Sequence, residues 1–434
     1  MREDHGARAA RFDRARLLRY GAVAAAPFVL GLPSAEAALR AGPINGRLRR
    51  LAAREKKGEI AWWSTSGGGY HYVPQRLLTP VAFAAAVQRR LAGAGVKTVP
   101  VKGPFDQIGV SEFRAVSKTP IPQILTKLFG QTPPTTRQLP VAPHYVLFGE
   151  PEYEGGPFGP PKPASKEDPF APAPAPDAVR VAVIDTGYHP GIHPDLDTHV
   201  PPTTPPQLPD VTPHDSILDD EAAHGMFITG IIVRAAPKAI VENVRVLDGM
   251  GLAKEATVVS ALARFIGRPE VSVINMSLGT FGDPAFPPIA LAQTLALLPS
   301  TTAVVAAAGN NHTNQPMYPG AYKRAIAVAA AADRNGTPAK FSNFGPWVDC
   351  YAPGQDLQGA FDDWKGLVAT TPTMSNETFD GWASWSGTSF AAPKVTGAIA
   401  AVVGPTLSGQ AAADALVHDP NRPILTDFGR FLDL

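Results

Sequence analysis

Three side chains that together suit nucleophilic catalysis stand at well-defined places in the sequence. Asp185 directly follows an apolar run, His224 is followed by glycine and a second apolar run, and Ser389 follows Ser-Gly-Thr at the start of a third. A serine becomes a strong nucleophile when an imidazole takes its proton and a carboxylate orients that imidazole. If the fold brings the three together, they predict acyl transfer, the chemistry that cleaves an amide or an ester.

Asn310 adds a fourth group suited to the same chemistry. It follows Gly309 after a run of small apolar residues, so its side-chain amide is expected just beyond the end of a strand. An amide N–H there, with the backbone N–H of Ser389, would stabilise the negative oxygen of a tetrahedral intermediate. Taken alone, each residue also has an ordinary structural explanation, because Gly-Asn pairs form turns and serine often caps a helix.

Two other classes of protein share parts of this pattern. Asp185-Thr186-Gly187 is also the signature of aspartic proteases, whose chemistry needs two carboxylates that share a proton. The chain contains no second Asp-Thr-Gly or Asp-Ser-Gly, so only an obligate homodimer would supply the second carboxylate. The non-enzymatic alternative is a pseudoprotease that uses the fold as a binding scaffold, and a scaffold has no need of all four groups.

The residues after 178 predict the framework that positions these groups. Short continuous apolar runs, rich in β-branched or small residues, are typical of strands buried on both faces of a parallel sheet. Such runs cover residues 179–184, 241–247, 271–276, 302–307 and 325–330. Helical patterns lie between them at residues 224–234, 254–266 and 288–298. The alternation predicts an α/β fold with a doubly wound, mostly parallel sheet, in which functional groups collect at the carboxyl ends of the strands.

The four motifs, in the order Asp185, His224, Asn310 and Ser389, resemble those of the subtilisin-like serine proteases, or subtilases. The resemblance covers about residues 178–405 and implies a serine endopeptidase with a subtilisin-like catalytic domain. It implies that Ser389 is the nucleophile, that His224 is the general base and that Asp185 orients the imidazole. It also implies that Asn310 is the side-chain donor of the oxyanion hole.

The same resemblance points to residues that bind the substrate. Ser277, Leu278 and Gly279 match the strand that lines the substrate in subtilases, and a polypeptide substrate is expected to pair with it as an added strand. Met317, just before Tyr-Pro-Gly, stands where the family often has a small residue. We therefore expect a shallow pocket and a modest apolar side chain at P1, the residue whose carbonyl is attacked.

Composition shifts divide the chain into four parts. We predict a leader at residues 1–45, a small α/β domain at 46–150, a proline-rich extended linker at 151–177 and the catalytic domain at 178–434. The small domain is either a pro-domain that inhibits the catalytic domain or a permanent domain that binds substrate or a partner. Its position, its size and its pattern of helix followed by strand resemble subtilase propeptides.

Within the small domain, local patterns predict individual elements. Residues 83–92 and 121–129 have helical spacing, and each is followed by glycine. Residues 96–101 alternate as a strand does, and residues 112–116 form a second strand candidate.

The leader and the overall charge bear on location and partners. Five arginines between residues 8 and 19 precede a mild apolar stretch and an Ala-Glu-Ala end, which favours an export signal over the leader of a cytoplasmic protein. The net charge of +1 argues against nucleic acid or an anionic membrane as a partner. A single cysteine, Cys350, excludes an intramolecular disulfide framework.

No cofactor and no metal are expected. Many subtilases bind calcium between the Asp of a His-Pro-Asp-Leu turn and a polar loop after the catalytic histidine. Here the turn is present around Asp195, but the chain runs from Ile232 to Lys238 without that loop, and calcium needs six to eight oxygen ligands. The acidic run at residues 219–221, just before His224, is interpreted as a solvated turn.

Overall fold

The computed structural model describes residues 46–65, 68–130, 139–149, 160–172, 178–202, 217–369 and 374–434. The predicted leader and part of the predicted linker therefore lie outside the described residues. Within these ranges, no helix is both long and apolar enough to cross a lipid bilayer.

The helices and strands are numbered here in chain order. The helices are α1 (Gly46–Lys56), α2 (Ala84–Gly93), α3 (Ile121–Phe129), α4 (Pro194–Asp197), α5 (His224–Ala235), α6 (Glu255–Ala263), α7 (Ile289–Leu297), α8 (Thr388–Val402) and α9 (Gly409–Val417). The strands are β1 (Ala61–Thr65), β2 (Gly68–Pro80), β3 (Lys97–Val101), β4 (Val110–Val116), β5 (Ala142–Gly149), β6 (Lys162–Pro163), β7 (Val179–Asp185), β8 (Ile217–Leu218), β9 (Ala239–Arg245), β10 (Leu252–Lys254), β11 (Val271–Met276), β12 (Leu278–Phe281), β13 (Ala303–Ala307), β14 (Met317–Tyr318), β15 (Ile326–Ala331), β16 (Cys350–Pro353), β17 (Leu357–Ala369), β18 (Met374–Trp385), β19 (Ile424–Leu425) and β20 (Gly429–Phe431).

The central sheet has the order β19-β20-β16-β15-β13-β11-β7-β9. Its pairings are parallel except between β19 and β20. Alternate residues of β7 face opposite layers: Val181 and Val183 pack with α5 and α8, whereas Ala182 and Ile184 pack with α6 and α7. Helices on both faces of a mostly parallel sheet confirm the predicted doubly wound α/β fold.

The region before residue 150 is built around antiparallel strands. β2 pairs with β1 and β4, β4 pairs with β3, and β5 pairs with β2. The predicted helices are confirmed as α2 and α3, whose apolar faces bury Leu91 and Leu125. The predicted strands are confirmed as β3 and β4.

Strand β5 connects this sheet to the rest of the molecule. Its C-terminal half pairs antiparallel with β12 and with β10, so the sheet runs in the order β14-β12-β5-β2-β4-β3 with β10 also on β5. Every residue of β5 is buried. The sequence patterns did not predict this strand, although the apolar run from Tyr145 to Phe148 is the signal that could have found it.

Residues 160–172 differ from the prediction of an unpacked linker. Lys162–Pro163 forms β6 and pairs with Ser384 and Ala383 at the edge of β18. Phe170 is buried, and the guanidinium of Arg234 lies 4.3 Å from its ring centre. Proline keeps a chain extended, as predicted. Because proline has no N–H to donate, it is tolerated in a sheet at edge strands, so an extended proline-rich segment can pair with the edge of a sheet. This part of the proline-rich segment is therefore packed on the α/β domain.

A long hairpin of β17 and β18 lies between the β16 strand and α8. With β6 and β8 it forms a sheet of the order β6-β18-β17-β8. The sequence patterns assigned no element to this region. The hairpin leads directly into α8, the helix that carries Ser389.

Candidate active site

Asp185 and His224 meet at the carboxyl end of the central sheet. Asp185 is the last residue of β7 and His224 the first of α5, and His224 Nδ1 lies 2.8 Å from Asp185 Oδ1. Thr186 donates its backbone N–H to the same oxygen at 2.7 Å. A Cβ on Gly225 would lie only 2.4 Å from the carbonyl oxygen of Gly187, so glycine is needed for α5 to start this close to β7. The carboxylate holds a proton on Nδ1 and leaves Nε2 as the acceptor.

Aromatic residues fix the plane of the His224 ring. The ring centre of Trp385 lies 5.6 Å from that of His224, and the ring centre of Phe390 lies 5.3 Å from it. Phe390 directly follows Ser389, the second residue of α8. The contact therefore places the imidazole beside the start of α8, where Ser389 lies. All three side chains of the predicted triad are fully buried.

Proline four residues after the serine changes the local hydrogen bonding. Pro393 has no N–H, so the carbonyl of Ser389 lacks its usual partner in the helix. The hydroxyl of Ser277 donates to that carbonyl at 2.8 Å. Asn275 donates to Ser277 Oγ at 3.0 Å, and Thr396 donates to the amide oxygen of Asn275 at 2.9 Å.

This chain of hydrogen bonds includes two residues that the sequence reading missed. Asn275 stands two residues before Ser277 in the same motif. Thr396 follows Ser389 by seven residues, a spacing that places Ser389 and Thr396 on one face of α8. Those spacings are the signals that could have found them. The chain joins the nucleophile helix to the strand that precedes β12.

Asn310 is held by its amide oxygen. The backbone N–H of Thr388 donates to Oδ1 at 2.9 Å, and the Thr388 hydroxyl donates to it at 3.0 Å. A backbone N–H can only donate, so this contact assigns the oxygen and leaves the Nδ2 amide pointing elsewhere. Nδ2 is buried and has no hydrogen-bond partner within the described ranges. It is a donor suited to an oxygen that arrives with the substrate.

Met317 fills the space between the substrate-lining strand and the Asn310 loop. Its exposed fraction is 2%, and a Cβ on Gly279 would lie 2.5 Å from Met317 Cε. On the other side, a Cβ on Gly309 would lie 2.4 Å from Met317 Sδ. Gly309 also has a φ of +100°, which favours glycine.

The cleft beside these groups is occupied by the end of β5. Gly149 pairs with Leu278 and Phe148 pairs with Gly279, so the predicted substrate strand already has an antiparallel partner. On the other side, Gly149 donates its N–H to the carbonyl of Gly251 at 2.7 Å. An extended segment of this chain thus lies between β12 and β10, as a bound peptide would.

The acidic run before His224 is not solvated, and that interpretation is wrong. Asp219 and Glu221 are 2% and 0% exposed, and Glu221 Oε2 lies 4.0 Å from His224 Nδ1. The neighbouring loop allows this burial because it carries glycines. A Cβ on Gly251 would lie 2.5 Å from Glu221 Cγ, so any larger residue would displace the carboxylate.

Asp195, the turn residue compared with a calcium ligand, binds backbone amides. Its Oδ2 accepts the N–H of Phe170 at 2.6 Å, and its Oδ1 accepts the N–H of Leu196 at 3.0 Å. Across the parts of the chain that the structure describes, no three His, Cys, Asp or Glu side chains come together in a group that could hold a metal ion.

Comparisons with known proteins agree with this geometry. The model of the subtilase family (Peptidase S8) matches residues 177–425, more than half of the chain. Thermitase of Thermoactinomyces vulgaris is 32% identical over 233 residues, which cover 50% of this chain and 72% of that protein. Subtilisin-like protease 3 of Pseudogymnoascus destructans is 36% identical over 196 residues, 43% of this chain and 44% of that protein. The match to this last relative thus spans less than half of its length.

A solved structure shows the same fold. Fervidolysin from Fervidobacterium pennivorans, described as a keratinolytic enzyme related to subtilisin, aligns with a TM-score of 0.54 at 19% identity. The alignment covers 83% of this chain and 60% of that one, so it extends beyond the residues matched by the family model.

Proposed function

The chain belongs to the subtilase family, and from that premise we propose that it is a serine endopeptidase with Asp185, His224 and Ser389 as its catalytic triad. The observation that carries the proposal is the 2.8 Å contact between His224 and Asp185, with Ser389 at the start of the helix packed against the imidazole. The proposed groups lie on β7, α5, α8 and the loop that follows β13.

The reaction follows from the protonation of these groups. Ser389 Oγ attacks the scissile carbonyl while His224 Nε2 takes its proton, which His224 then gives to the leaving amine. Asp185 stays ionised, keeps the proton of Nδ1 in place and stabilises the imidazolium. Water then attacks the acyl-enzyme by the same route in reverse and releases the acid.

Asn310 stabilises the negative oxygen that forms at each tetrahedral stage. Its Nδ2 amide and the backbone N–H of Ser389 are the two donors of the proposed oxyanion hole. Because Thr388 already holds the amide oxygen, the donor is oriented before substrate arrives. Little reorganisation is then needed during the reaction.

The substrate is an extended polypeptide that pairs with Ser277, Leu278 and Gly279. Strand β5 supports this because it makes the same kind of antiparallel pairing with β12. Met317 limits the P1 side chain to a small or modest apolar one, because its thioether takes the space between Gly279 and Gly309. Neither nucleic acid nor a membrane is part of the proposed reaction.

The domain before residue 150 acts as an inhibitory pro-domain. Its strand β5 occupies the edge of β12 that a substrate needs, and Tyr145 and His144 of this strand contact the N-terminus of α6. The alternative is a permanent domain that binds substrate or a partner. A separate domain that binds a partner would have no reason to fill the cleft, so these contacts favour the inhibitory role.

The first experiment tests the enzyme. The wild-type chain and two variants, Ser389→Ala and Ser386→Ala, are treated with a fluorophosphonate, before and after brief digestion with a metalloprotease that the reagent does not label. We expect labelling of the wild type and Ser386→Ala but not of Ser389→Ala, with turnover lowered by about 10⁶ in the latter, a figure that belongs to subtilisin itself. Labelling or substantial turnover of purified Ser389→Ala would contradict the proposal.

The second experiment tests the inhibitory domain. Intact masses are compared for purified wild type and Ser389→Ala, because only an active enzyme can process itself. We expect the wild type to lose an N-terminal fragment that Ser389→Ala retains. Identical masses would count in favour of a permanent domain.

The proposed enzyme is exported. The support is the basic stretch between residues 8 and 19 followed by apolar residues 21–32. Expression of the full chain with antibody detection in the medium or periplasm tests this, and retention in the cytoplasm would contradict it.

A further inference from the structure

The strand bound in the cleft gives the register of a substrate, if the proposed function holds. Gly279 pairs with Phe148 and Leu278 with Gly149, so the next substrate position lies beside Ser277. The hydroxyl of Ser277 donates to the carbonyl of Ser389, which places that next position at the nucleophile. The residue beside Ser277 is therefore P1, and the position of Gly149 is P2.

The surroundings of Gly149 leave little space for a P2 side chain. A Cβ built there would lie 2.9 Å from Leu247 Cδ1, and 3.3 Å and 3.4 Å from Oε2 and Cδ of Glu221. With β5 in place, Leu247 is 1% exposed and Glu221 is 0% exposed.

Both residues are also fixed through their backbones. Leu247 donates its N–H to the carbonyl of Asp185 at 3.2 Å, and Glu221 donates its N–H to the carbonyl of Gly249 at 3.2 Å. The main chain of Leu247 is therefore tied to Asp185 at the end of β7, and the main chain of Glu221 is tied to the loop between β9 and β10. A P2 side chain has to displace the end of the Leu247 side chain and to bring carbon atoms against the Glu221 carboxylate, and both changes cost free energy.

The backbone at this position adds a second selection. Gly149 donates its N–H to the carbonyl of Gly251 at 2.7 Å. Proline has no N–H, so a proline at P2 would lose this hydrogen bond and would also meet Leu247 and Glu221.

We infer that the cleft selects glycine at P2, with Leu247 and Glu221 as the residues that determine this specificity. Alanine at P2 is accepted with a loss, and larger residues and proline are rejected. Glu221 does not favour lysine at P2, because its carboxylate lies next to the Cβ of the P2 residue and not near the end of a long side chain. The four-carbon stem of lysine would carry its ammonium group beyond Glu221. Because Met317 limits P1, the preferred substrates are polypeptides with glycine at P2 and a small residue at P1, directly before the scissile bond.

A set of peptides that differ only at P2 tests the inference. Acetyl-Ala-Leu-Phe-X-Ala-p-nitroanilide, with X as Gly, Ala, Leu, Pro or Lys, retains the Leu-Phe pair of β5 and a small P1 residue. We expect kcat/KM to be highest for Gly, several-fold lower for Ala, and lower by about 100-fold for Leu, Pro and Lys. The enzyme is the processed product of the full chain.

Variants identify the residue responsible. Leu247→Ala should reduce the ratio of kcat/KM for Gly over Leu at P2 by about tenfold, because it opens space at the Cβ position. The matched control is Leu295→Ala, another buried leucine of the same core that lies on α7 and does not contact Gly149. A ratio measured within one variant is independent of the fraction of protein that folds.

The outcomes separate this inference from the proposed function. An enzyme that is not labelled at Ser389 and hydrolyses none of the peptides would overturn both. A labelled enzyme would overturn the P2 inference alone if it hydrolysed the Gly and Leu peptides equally, preferred Lys or Pro, or hydrolysed none of the series. An unchanged Gly-to-Leu ratio in Leu247→Ala would remove Leu247 as a determinant.

Discussion

The backbone carbonyl of Ser389 is bound by a chain of hydrogen bonds that ends at the hydroxyl of Thr396, two turns later in the same helix. Pro393 leaves the Ser389 carbonyl to be bound from outside the helix, and Ser277 binds it. Ser277 is in turn oriented by Asn275, whose oxygen is held by Thr396. All four side chains are buried, so no water can replace a lost partner without entering the packed core.

Thr396→Val removes that last donor and keeps the shape of the side chain. We expect kcat to fall by about tenfold, roughly 1.4 kcal/mol of transition-state stabilisation, because the Ser389 backbone N–H and Oγ become less well placed. KM should change by less than about twofold, since β12 still binds the substrate. Thr396→Ser should restore kcat because it keeps the hydroxyl.

The matched control is Thr294→Val on α7. Thr294 is equally buried, but its hydroxyl donates to the carbonyl of Ala290 in its own helix at 2.7 Å. Steady-state kinetics of the three variants decide the matter. Equal losses of kcat in Thr294→Val and Thr396→Val, or no recovery in Thr396→Ser, would show that the hydrogen-bond chain has no role in catalysis.

At this scale the sequence supported a prediction only for residues that carry a local motif. Asp185, His224, Asn310 and Ser389 each stand beside glycine or small residues that let backbones approach, and such neighbours are visible in the sequence. Thr396 has no such marker, because its role comes from a contact with Asn275 more than a hundred residues away. Burial of Glu221 was missed for a related reason, since it depends on the glycines of a loop that follows another strand.

Among the elements, α6 has an unusual position because its N-terminus contacts β5 of the domain before residue 150. Glu255, the first residue of α6, accepts the N–H of Tyr145 in β5 at 3.2 Å and the N–H of Leu291 in α7 at 3.0 Å. Burial raises the pKa of Glu255 from 4.5 to about 7. Beside it, His144 Nε2 accepts the N–H of Ala256, and burial lowers the pKa of His144.

The raised pKa of Glu255 gives stability a definite dependence on pH. Because the folded state holds the proton more tightly, the contribution of Glu255 is fully present below pH 4.5 and is lost as the pH rises through about 7. The loss amounts to about 3 kcal/mol from the size of the shift. In a Ser389→Ala background, which prevents processing, the Tm relative to the Glu255→Gln variant should fall by several degrees between pH 5 and pH 8.

His144 titrates in both proteins of this comparison, so its opposite effect cancels in the difference. Glu270→Gln is the control, because the side chain of Glu270 is 50% exposed and paired with Arg268. It should show no fall with rising pH. A difference in Tm between parent and Glu255→Gln that is flat from pH 5 to pH 8 would show that Glu255 is not protonated in the folded protein.

Elements with a strong local pattern were predictable, and elements defined by distant partners were not. The helices α2 and α3 have apolar spacing and a glycine stop, and β7, β11 and β13 are short apolar runs between turns. In β17 and β18, polar residues such as Asp363 and Asp380 interrupt the apolar pattern, and the pairing between the two strands supplies the order instead. The edge of β18 likewise explains why β6 is packed although its sequence is typical of a linker.

For the whole molecule, stability without calcium is the prediction that the packing supports. The carboxylate of Asp195 holds the segment around Phe170 through a backbone N–H, and Arg234 lies over the Phe170 ring. A cation at Asp195 would have to displace that N–H, next to the residue whose ring the Arg234 guanidinium covers. We therefore expect that calcium has no part in holding this segment.

Thermal unfolding with and without a chelator tests the point. The Tm of the Ser389→Ala protein should be the same, within error, in excess chelator and in millimolar calcium. A fall of about 10 °C or more on chelation, several kcal/mol for a domain of this size, would show that a cation is bound. Asp195→Asn should lower the Tm equally in both conditions, because its role is to accept N–H groups.

The chain is held on both sides of a short connection, and this has a consequence for timing. Gly149 is bound between β10 and β12, Lys162–Pro163 is bound to β18, and residues 150–161 join them. So short a tether gives β5, the strand proposed to inhibit the enzyme, an effective concentration in the millimolar range or above, whatever the concentration of the protein. Once the tether is cut, the strand belongs to a separate molecule, and its rebinding depends on how far the mixture is diluted. Under the proposed inhibition, the volume into which the proposed enzyme is released would then set the moment at which it becomes active.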